Sequence, residues 1–305
     1  MLSAVWVEEL ESASLDQARE LLLAVRETDG RPEVEESGAL PPEFHGGLHM
    51  LARTTAGELV GYAHLDTAGD SFGRQVAELV VHPAHRRKGF GTSMVEALVD
   101  KADAAVPKDK LRVWAHGDHA GAARLADREG FTRARELLVL HAETVAWPEP
   151  LLRDGVTLRT FVPGQDEQAV IDVNARAFDW HPEQGRFSVD ELRVAEAESW
   201  FDPEGFFLAA KADGRVVGFH WTKVHPANPK RFGGAPVGEV YVVGVDPDAQ
   251  GGGLGRALTL AGLRHLGGRG LREVILYVEG DNAPALAVYE KLGFTRYEVD
   301  VQYAR

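Results

Sequence analysis

Apolar residues in the first half of the chain follow spacings that predict alternating strands and helices. Residues 15–25 carry apolar side chains three and four positions apart, which predicts an amphipathic helix. Residues 48–53 and 59–65 flank Thr55-Ala56-Gly57-Glu58, a pattern typical of a β-hairpin. Four further strands and two further helices are predicted, at residues 4–7, 76–81, 111–115 and 131–140 and at residues 94–105 and 120–129. These elements predict an α/β fold of the α+β type.

The second half repeats this order after a proline-containing segment. Residues 143–152, with Pro148 and Pro150, predict a linker. We predict a hairpin at residues 206–224 and a loop at residues 225–236. The remaining strands are expected at residues 156–161, 241–245, 274–278 and 294–303, and the helices at residues 165–178, 189–200, 254–266 and 283–292.

Two glycine loops mark corresponding points of the two halves. Each loop follows a β-branched strand and a proline turn, precedes a helix, and fits the pattern Gln/Arg-x-x-Gly-x-Gly. Pro83 and Pro247 differ by 164 in residue number, and so do Gly89 and Gly253. One period that runs through several features indicates duplicated domains. We therefore predict a first domain at residues 1–142, a linker at 143–152 and a second domain at 153–305.

A strand, a glycine loop and a helix start together favour an anion-binding site. The first N–H groups of a helix have no partner within it, and the helix dipole favours negative charge there. Glycines also let a phosphate approach the backbone closely. A glycine-rich turn alone is equally typical of a flexible loop, but its presence in two copies favours binding.

The order of strand, Gln/Arg-x-x-Gly-x-Gly helix, strand, helix and Gly-Phe strand resembles the GNAT N-acetyltransferase family. The resemblance covers nearly the whole chain as two tandem copies. It implies in each copy a mixed, mostly antiparallel central sheet flanked by helices. It also implies acetyl-CoA as the acetyl donor, with its pyrophosphate on the glycine loop. Direct transfer to an amine needs no covalent enzyme intermediate, which agrees with a sequence that has no cysteine.

Composition narrows the choice of partners. The formal net charge of −14 argues against a nucleic-acid binder, which needs a cationic face. No apolar run approaches the roughly 20 residues of a membrane span, and the N-terminus lacks the basic start of a signal peptide. Without cysteine there is no thiolate ligand for a metal. We expect a cytoplasmic monomer that binds neither nucleic acid nor membrane and contains no metal.

Two side chains are candidates for the proton transfers of acyl transfer. Glu239 lies in a mostly apolar strand, where an unpaired buried carboxylate is costly. It is either a strand-end residue that faces water or a general base for the amine, which the family often carries on this strand. Tyr289 lies in the last helix. It is either a core aromatic residue or the general acid that the family uses for the coenzyme A sulfur.

The N-terminal copy lacks matching groups at these positions. Aligning the proline turns pairs Gln75 with Glu239, and aligning the Gly-Phe motifs pairs Ala126 with Tyr289. We therefore predict that both copies bind acetyl-CoA and that only the C-terminal copy catalyses. Glu78 is a possible substitute base in the N-terminal copy.

The resemblance also assigns cofactor contacts in both copies. Gly251 and Gly252 stand where many relatives have basic residues, so binding in the C-terminal copy is expected to rely on backbone N–H groups and Arg256. The C-terminal contacts are Val243, Gly244, Val245, Gln250, Gly251, Gly252, Gly253, Leu254, Gly255, Arg256, Asn282, Ala283, Pro284, Ala285, Leu286 and Ala287. The N-terminal contacts are Leu79, Val80, Val81, Arg87, Lys88, Gly89, Phe90, Gly91 and Thr92.

Within the family, the chain resembles tandem members that acetylate the cysteinyl amine of cysteine–glucosamine–inositol. The stretches behind this resemblance are residues 181–185, 239–247 and 276–282. Matching positions imply that the small-molecule amine contacts Glu36, Glu183, Lys223, Glu239 and Tyr277. Two alternatives stay open. One is acetylation of another small amine, such as an antibiotic or a polyamine, which the acidic composition would suit. The other is a non-enzymatic acyl-CoA sensor.

Overall fold

The computed structural model describes residues 2–103, 110–181 and 187–305. The strands are β1 (Leu2–Val7), β2 (Leu48–Thr54), β3 (Leu59–Asp66), β4 (Gln75–Val81), β5 (Leu111–Ala115), β6 (Thr132–Glu143), β7 (Val156–Thr160), β8 (Phe206–Lys211), β9 (Val216–His225), β10 (Val237–Val245), β11 (Glu273–Glu279) and β12 (Thr295–Ala304). The α-helices are α1 (Ser12–Asp29), α2 (Phe90–Asp103), α3 (Ala120–Arg128), α4 (Glu167–Ala177), α5 (Val189–Glu196), α6 (Leu254–Gly268) and α7 (Ala283–Lys291).

The chain forms two compact units, each assembled from separate pieces of the sequence. The first unit comprises Met1–Leu137, Pro229–Gly233 and Glu298–Arg305, and the second comprises Leu138–Asn228 and Gly234–Tyr297. The end of β12 therefore belongs to the first unit and the end of β6 to the second. The predicted domain limits, which are contiguous in sequence, stay a prediction.

The first unit has a sheet with the strand order β1–β2–β3–β4–β5–β12. Neighbouring strands are antiparallel except β4 and β5, which are parallel because α2 forms the crossover between them. The apolar stripe of α1 packs Ala18, Leu22 and Val25 against Leu51 and Tyr62 of the sheet. This packing agrees with the apolar spacing from which the helix was predicted.

The second unit has the strand order β6–β11–β10–β9–β8–β7. Strands β7 to β10 are antiparallel neighbours, and α6 connects the parallel strands β10 and β11. Successive residues of β8 point to opposite faces, because Leu208 packs with α4 and α5 whereas Ala209 packs with Leu254 and Leu258 of α6. The two units confirm the predicted mixed, mostly antiparallel sheets flanked by helices.

The two parallel strands of each unit part where the chain enters the glycine loop. Among the described residues, β4 pairs with β5 over residues 75–77, and β10 pairs with β11 over residues 238–240. Beyond these pairs, β4 continues beside β3 to Val81, and β10 continues beside β9 to Val245. One edge of each strand end is therefore open to a ligand.

Strand β10 has one extra residue inserted in its pairing with β9, which β4 lacks in its pairing with β3. Val240 and Val242 pair with consecutive residues of β9, so that Tyr241 forms a β-bulge, whereas β4 pairs with β3 without irregularity. The second residue of the parallel ladder is Glu239 in β10 and Val76 in β4. The predicted pairing of Gln75 with Glu239 is therefore wrong by one residue. Val76 carries no carboxylate either, so the contrast between the copies persists.

Several predicted boundaries differ from the structure. Helix α2 begins at Phe90 rather than at residue 94, and strand β10 begins at Val237 rather than at residue 241. Helix α5 ends at Glu196 rather than at residue 200. The loop predicted at residues 225–236 begins one residue later, because His225 is the last residue of β9 and pairs with Val237. This places His225 in the sheet beside Glu239. Within the described part of the chain, the helices lack the combination of length and apolar character needed to cross a membrane.

Candidate active site

The glycine loop of the second unit links the open end of β10 to α6. Gly251, Gly252 and Gly253 all have positive φ angles, of 80°, 61° and 80°, which favour glycine over other residues. No side chain caps the first turn of α6. Gln250 donates from Nε2 to the carbonyl of Val245 at 3.4 Å and so connects the loop to the strand. The predicted contacts from Val243 to Arg256 thus lie along one segment of strand end, loop and helix start, although the Leu254 side chain packs into the core and leaves only its backbone for a ligand.

Two arginines bring positive charge to this loop. Arg256 lies half-buried in the first turn of α6. Arg153 lies beside Gly252, where a Cβ atom would be 3.8 Å from its Cδ. Sequence reasoning missed Arg153 because it belongs to the segment after the predicted linker, 99 residues before the loop. Only the fold brings it there.

The start of α7 forms the second part of the predicted cofactor surface. Asn282 is the N-cap of this helix, and its Oδ1 accepts a hydrogen bond from the backbone N–H of Ala285 at 3.2 Å. Residues Ala283 to Ala287 form the first turns of the helix, with Pro284 near the start. The start of α7 thereby joins the start of α6 as a helix N-terminus of the predicted cofactor surface.

Glu239 is buried and paired. Its side chain is about 6% exposed, and its Oε2 lies 2.5 Å from Nε2 of His225. Its ladder neighbour on β9 is Lys223. The interpretation of Glu239 as a strand-end residue facing water is therefore wrong. Sequence reasoning missed His225 because it assigned this residue to a loop. The available signal was its position two residues after Lys223, which puts both side chains on one face if the strand continues.

Lys223 is held by aromatic rings on the same face of the sheet. Its Nζ lies 4.7 Å from the ring centre of Trp200 and 5.3 Å from that of Tyr241, distances typical of cation–π contacts. Tyr277 follows two residues after Ile275, the parallel partner of Glu239, so strand alternation puts Tyr277 on this face as well. The structure thus brings together three of the five predicted substrate contacts.

The other two predicted substrate contacts lie elsewhere. Glu183 lies outside the described residues. Glu36 is exposed in the loop that follows α1, in the first unit. Beside residue 183, His181 lies 3.8 Å from Glu279, and both side chains are largely buried.

Tyr289 lies in α7 and packs against the core of the second unit. Its ring centre is 5.8 Å from that of Phe294, in an edge-to-face contact. Burial raises the pKa of Tyr289 to about 12. The phenol therefore keeps its proton at neutral pH, which is the state that a proton donor requires.

A cavity of about 1140 Å³ opens in the first unit. Its lining includes Ala126 and most of the predicted cofactor residues of this unit, but not Lys88 or Phe90. It also includes the charged residues Arg31, Glu43, Glu78 and His116. The lining thus includes these residues from the predicted set: Leu79, Val80, Val81, Arg87, Gly89, Gly91 and Thr92.

Three charged residues of this lining, Arg31, Glu78 and His116, belong to an ion-pair network. His116 lies between Glu78 and Asp300, at 3.1 Å from Nε2 to Oε2 and 3.2 Å from Nδ1 to Oδ2. Arg31 pairs with Asp300 at 2.6 Å and also with Glu298. Burial alone would lower the pKa of His116, but the two carboxylates more than offset this effect and raise it to about 10. Glu78 therefore faces an imidazolium that is charged at neutral pH.

Metal ligands do not cluster in the described part of the chain, where His, Asp and Glu side chains form no group of three suited to a metal ion. The site offers amide groups, carboxylates and a phenol, which are groups for proton transfer and hydrogen bonding.

Comparison with known proteins defines the class. The acetyltransferase (GNAT) family matches the chain twice, at residues 15–131 and 174–294. The chain belongs to this family and is an acetyltransferase, which confirms the resemblance deduced from the glycine loops and favours the enzyme over the sensor. The donor in this family is acetyl-CoA.

Individual relatives are similar over the whole length. The chain is 68% identical to a mycothiol acetyltransferase of Saccharomonospora viridis, with 100% of this chain and 99% of that protein covered. It is 65% identical to a mycothiol acetyltransferase of Amycolatopsis mediterranei, with 98% of each covered.

Two solved structures share the fold. A GCN5-related N-acetyltransferase from Sphaerobacter thermophilus has a TM-score of 0.69 and 24% identity, with 99% of this chain and 95% of that chain covered. A tandem GNAT protein from the clavulanic acid biosynthesis pathway has a TM-score of 0.71 and 20% identity, with 100% and 98% covered. At such identities the likeness concerns the fold alone.

Proposed function

We propose that this protein transfers the acetyl group of acetyl-CoA to the cysteinyl amine of cysteine–glucosamine–inositol, which yields mycothiol. The observation that carries the proposal is the buried carboxylate of Glu239, one residue before β10 and β11 part, on a face that also bears Lys223 and Tyr277. The full-length similarity to mycothiol acetyltransferases supports the choice of acceptor.

The donor would lie along the open end of β10. The N–H groups of the loop and of the first turn of α6, together with Arg256 and Arg153, would bind its pyrophosphate. The backbone from Val243 to Val245 would bind the arm that carries the thioester, and the start of α7 from Asn282 to Ala287 would complete the site. This arrangement places the thioester near the parting of the two strands.

Glu239 is the proposed general base. An α-amino group has a pKa of about 8, so at neutral pH one proton must leave before the amine can attack. Glu239 takes this proton, directly or through a water molecule. The amine nitrogen then bonds to the carbonyl carbon, and the bond between this carbon and sulfur breaks.

Tyr289 is the proposed general acid for the departing sulfur. Its raised pKa keeps the hydroxyl protonated. The phenol donates a hydrogen bond to the sulfur as negative charge develops there, and it supplies the proton that converts the thiolate to the thiol. No covalent intermediate with the protein is formed.

The acceptor would be held by side chains with several hydrogen-bonding atoms. Lys223 and Tyr277 are proposed to contact the sugar and inositol hydroxyl groups. We include Glu36 and Glu183 in the proposed acceptor site on the family resemblance.

The first unit is proposed to bind acetyl-CoA without turning it over. Its cavity combines the glycine loop with a strand end that is open in the same way as β10. Val76 and Ala126 stand where the second unit has Glu239 and Tyr289, so neither the base nor the acid is available.

The proposed acceptor is tested by comparing several amines as substrates. The purified protein is incubated with acetyl-CoA and, in parallel, with the cysteinyl pseudodisaccharide, a polyamine and an aminoglycoside, and products are identified by mass spectrometry. We expect the N-acetyl product from the pseudodisaccharide at a kcat/KM far above that of the other amines. A preference for the polyamine or the aminoglycoside would refute the proposed acceptor. A thiol stain is unsuitable because the acceptor carries its own thiol.

A further inference from the structure

His225 faces Glu239 across the β9–β10 ladder. Lys223 is the direct partner of Glu239, and His225, two residues further along β9, projects from the same face. The His225 and Glu239 side chains are about 9% and 6% exposed, so water contributes little to their hydrogen bonding. A buried carboxylate in this position is stabilised only if a partner bonds to it.

The contact defines which atoms interact. Nε2 of His225 lies 2.5 Å from Oε2 of Glu239, so the two atoms are hydrogen-bonded at a separation shorter than that of an ordinary N–H···O bond. An ionised carboxylate can only accept, so Nε2 carries the proton and donates it to the bond. The interaction engages Oε2 and orients the carboxylate, which assigns Oε1 to the amine or to a water molecule.

The first unit lacks both members of this pair. Its ladder puts Val76 in the position of Glu239 and Asp66 in that of Lys223. Counting two residues on from Asp66 places Ala68 in the position of His225. The copy without a base is therefore also the copy without the histidine, as expected if the histidine serves the base rather than the fold.

We propose that His225 is a positioning residue for acetyl transfer, which holds the Glu239 carboxylate in its charged and oriented form. This inference rests on the proposed function, in which Glu239 is the general base. Among the described residues, the titratable groups on this side of the sheet near Glu239 include Lys223 and His225 from β9, Tyr241 from β10 and Tyr277 from β11. Of these, the structure shows His225 in direct contact with the carboxylate.

The test compares His225→Leu, which removes the donor, with His225→Gln, which can keep one. We expect His225→Leu to lower kcat about ten-fold or more, which is part of the roughly 10²–10⁴-fold contribution of a general base. His225→Gln is expected to lower kcat less. Loss of the donor disfavours the charged carboxylate, so the acidic limb of the kcat/KM profile moves to higher pH. The KM for acetyl-CoA stays within about two-fold because the glycine loop is unchanged.

A matched control is His265→Leu. His265 also contacts a carboxylate, that of Asp202 at 3.1 Å, but it lies near the C-terminal end of α6. This variant is expected to keep the wild-type kcat and pH profile. Thermal unfolding of each variant identifies loss of folding, and if His225→Leu does not fold, His225→Gln carries the pH test.

A second comparison separates positioning from a structural role. In a Glu239→Gln background, His225→Leu is expected to reduce the rate little further, because the carboxylate that it positions is gone. An equal loss in both backgrounds would overturn the inference, and so would a wild-type pH profile of His225→Leu. If Glu239→Gln itself keeps the wild-type rate, the proposed base is wrong. If Glu239→Gln is inactive and His225→Leu is unchanged, only the inference fails.

Discussion

Val76 of the first unit and Glu239 of the second occupy the same position in the parallel ladders of their sheets. The β-bulge at Tyr241 hides this relationship from a sequence alignment anchored on the glycine loops. One copy thus has an apolar residue and the other a carboxylate at the point where the two strands part. This difference supports the proposal that the first unit binds acetyl-CoA and that the second unit carries out the chemistry.

Replacement of a carboxylate should lower kcat in the second unit but leave it nearly unchanged in the first. Glu239→Gln is expected to lower kcat by about 10² or more, because a general base contributes roughly 10²–10⁴. Glu78→Gln is expected to keep kcat within about two-fold, since Glu78 pairs with His116. Steady-state kinetics on both folded variants checks this. A larger loss in Glu78→Gln would assign the base to the first unit.

The rate should not fall below pH 10 through deprotonation of the general acid, Tyr289. A proton donor loses activity as pH rises through its pKa, and burial raises that of Tyr289 to about 12. The kcat profile is therefore expected to be flat from about pH 8 to 10, once the amine is deprotonated. Tyr289→Phe should lower kcat by about 10² across this range. A wild-type decline with a midpoint near 9 would contradict this assignment of Tyr289.

The ion-pair network around Asp300 should stabilise the folded protein. Asp300 is 2% exposed and contacts Arg31, His116 and the backbone N–H of Gly117. Asp300→Asn breaks buried ion pairs and is expected to lower the free energy of unfolding by about 3–5 kcal/mol. Urea denaturation measures this loss. Exposed Asp190→Asn is the control and should change it by less than about 0.5 kcal/mol.

The same network predicts a stability that depends on pH. The pKa of His116 is raised to about 10 in the folded protein, so its contribution is complete below pH 6.5 and disappears as pH rises to about 10. The pKa of Asp300 is lowered by His116 and Arg31 despite its burial, so its contribution is lost only in acid, below pH 4. The melting temperature is therefore expected to fall between pH 7 and 10. An unchanged melting temperature over this range would show that the network does not make stability depend on pH.

The glycine loop should affect donor binding more than chemistry. Gly253 has a φ of 80° at the start of α6, where an L-residue costs about 1–2 kcal/mol. Gly253→Ala is expected to raise the KM for acetyl-CoA about ten-fold with a smaller change in kcat. Gly268→Ala, at the far end of α6, has open space around its Cβ and should keep the wild-type KM. Equal effects at both glycines would refute a local role of the loop.

Local patterns predicted the features that depend on nearby residues. The strands, both glycine loops and the position of Glu239 all follow from spacing and motif. The β-bulge at Tyr241 could not be predicted, because it exists only in the pairing of β10 with β9. His225 and Arg153 were missed for a similar reason, since their neighbours are distant in sequence. The end of β12, which completes the first unit, likewise depends on a long-range pairing with β5.

The central claim is that the second unit acetylates the cysteinyl amine through Glu239 and Tyr289. The most direct measurement is the initial rate of N-acetyl product formation, followed by mass spectrometry at saturating acetyl-CoA, for the wild type and for the Glu239→Gln, Tyr289→Phe double variant. We expect steady product formation by the wild type and a rate at least about 10² lower for a folded double variant that still binds acetyl-CoA. No product from a wild type that binds acetyl-CoA, or an undiminished rate in the double variant, would contradict the claim.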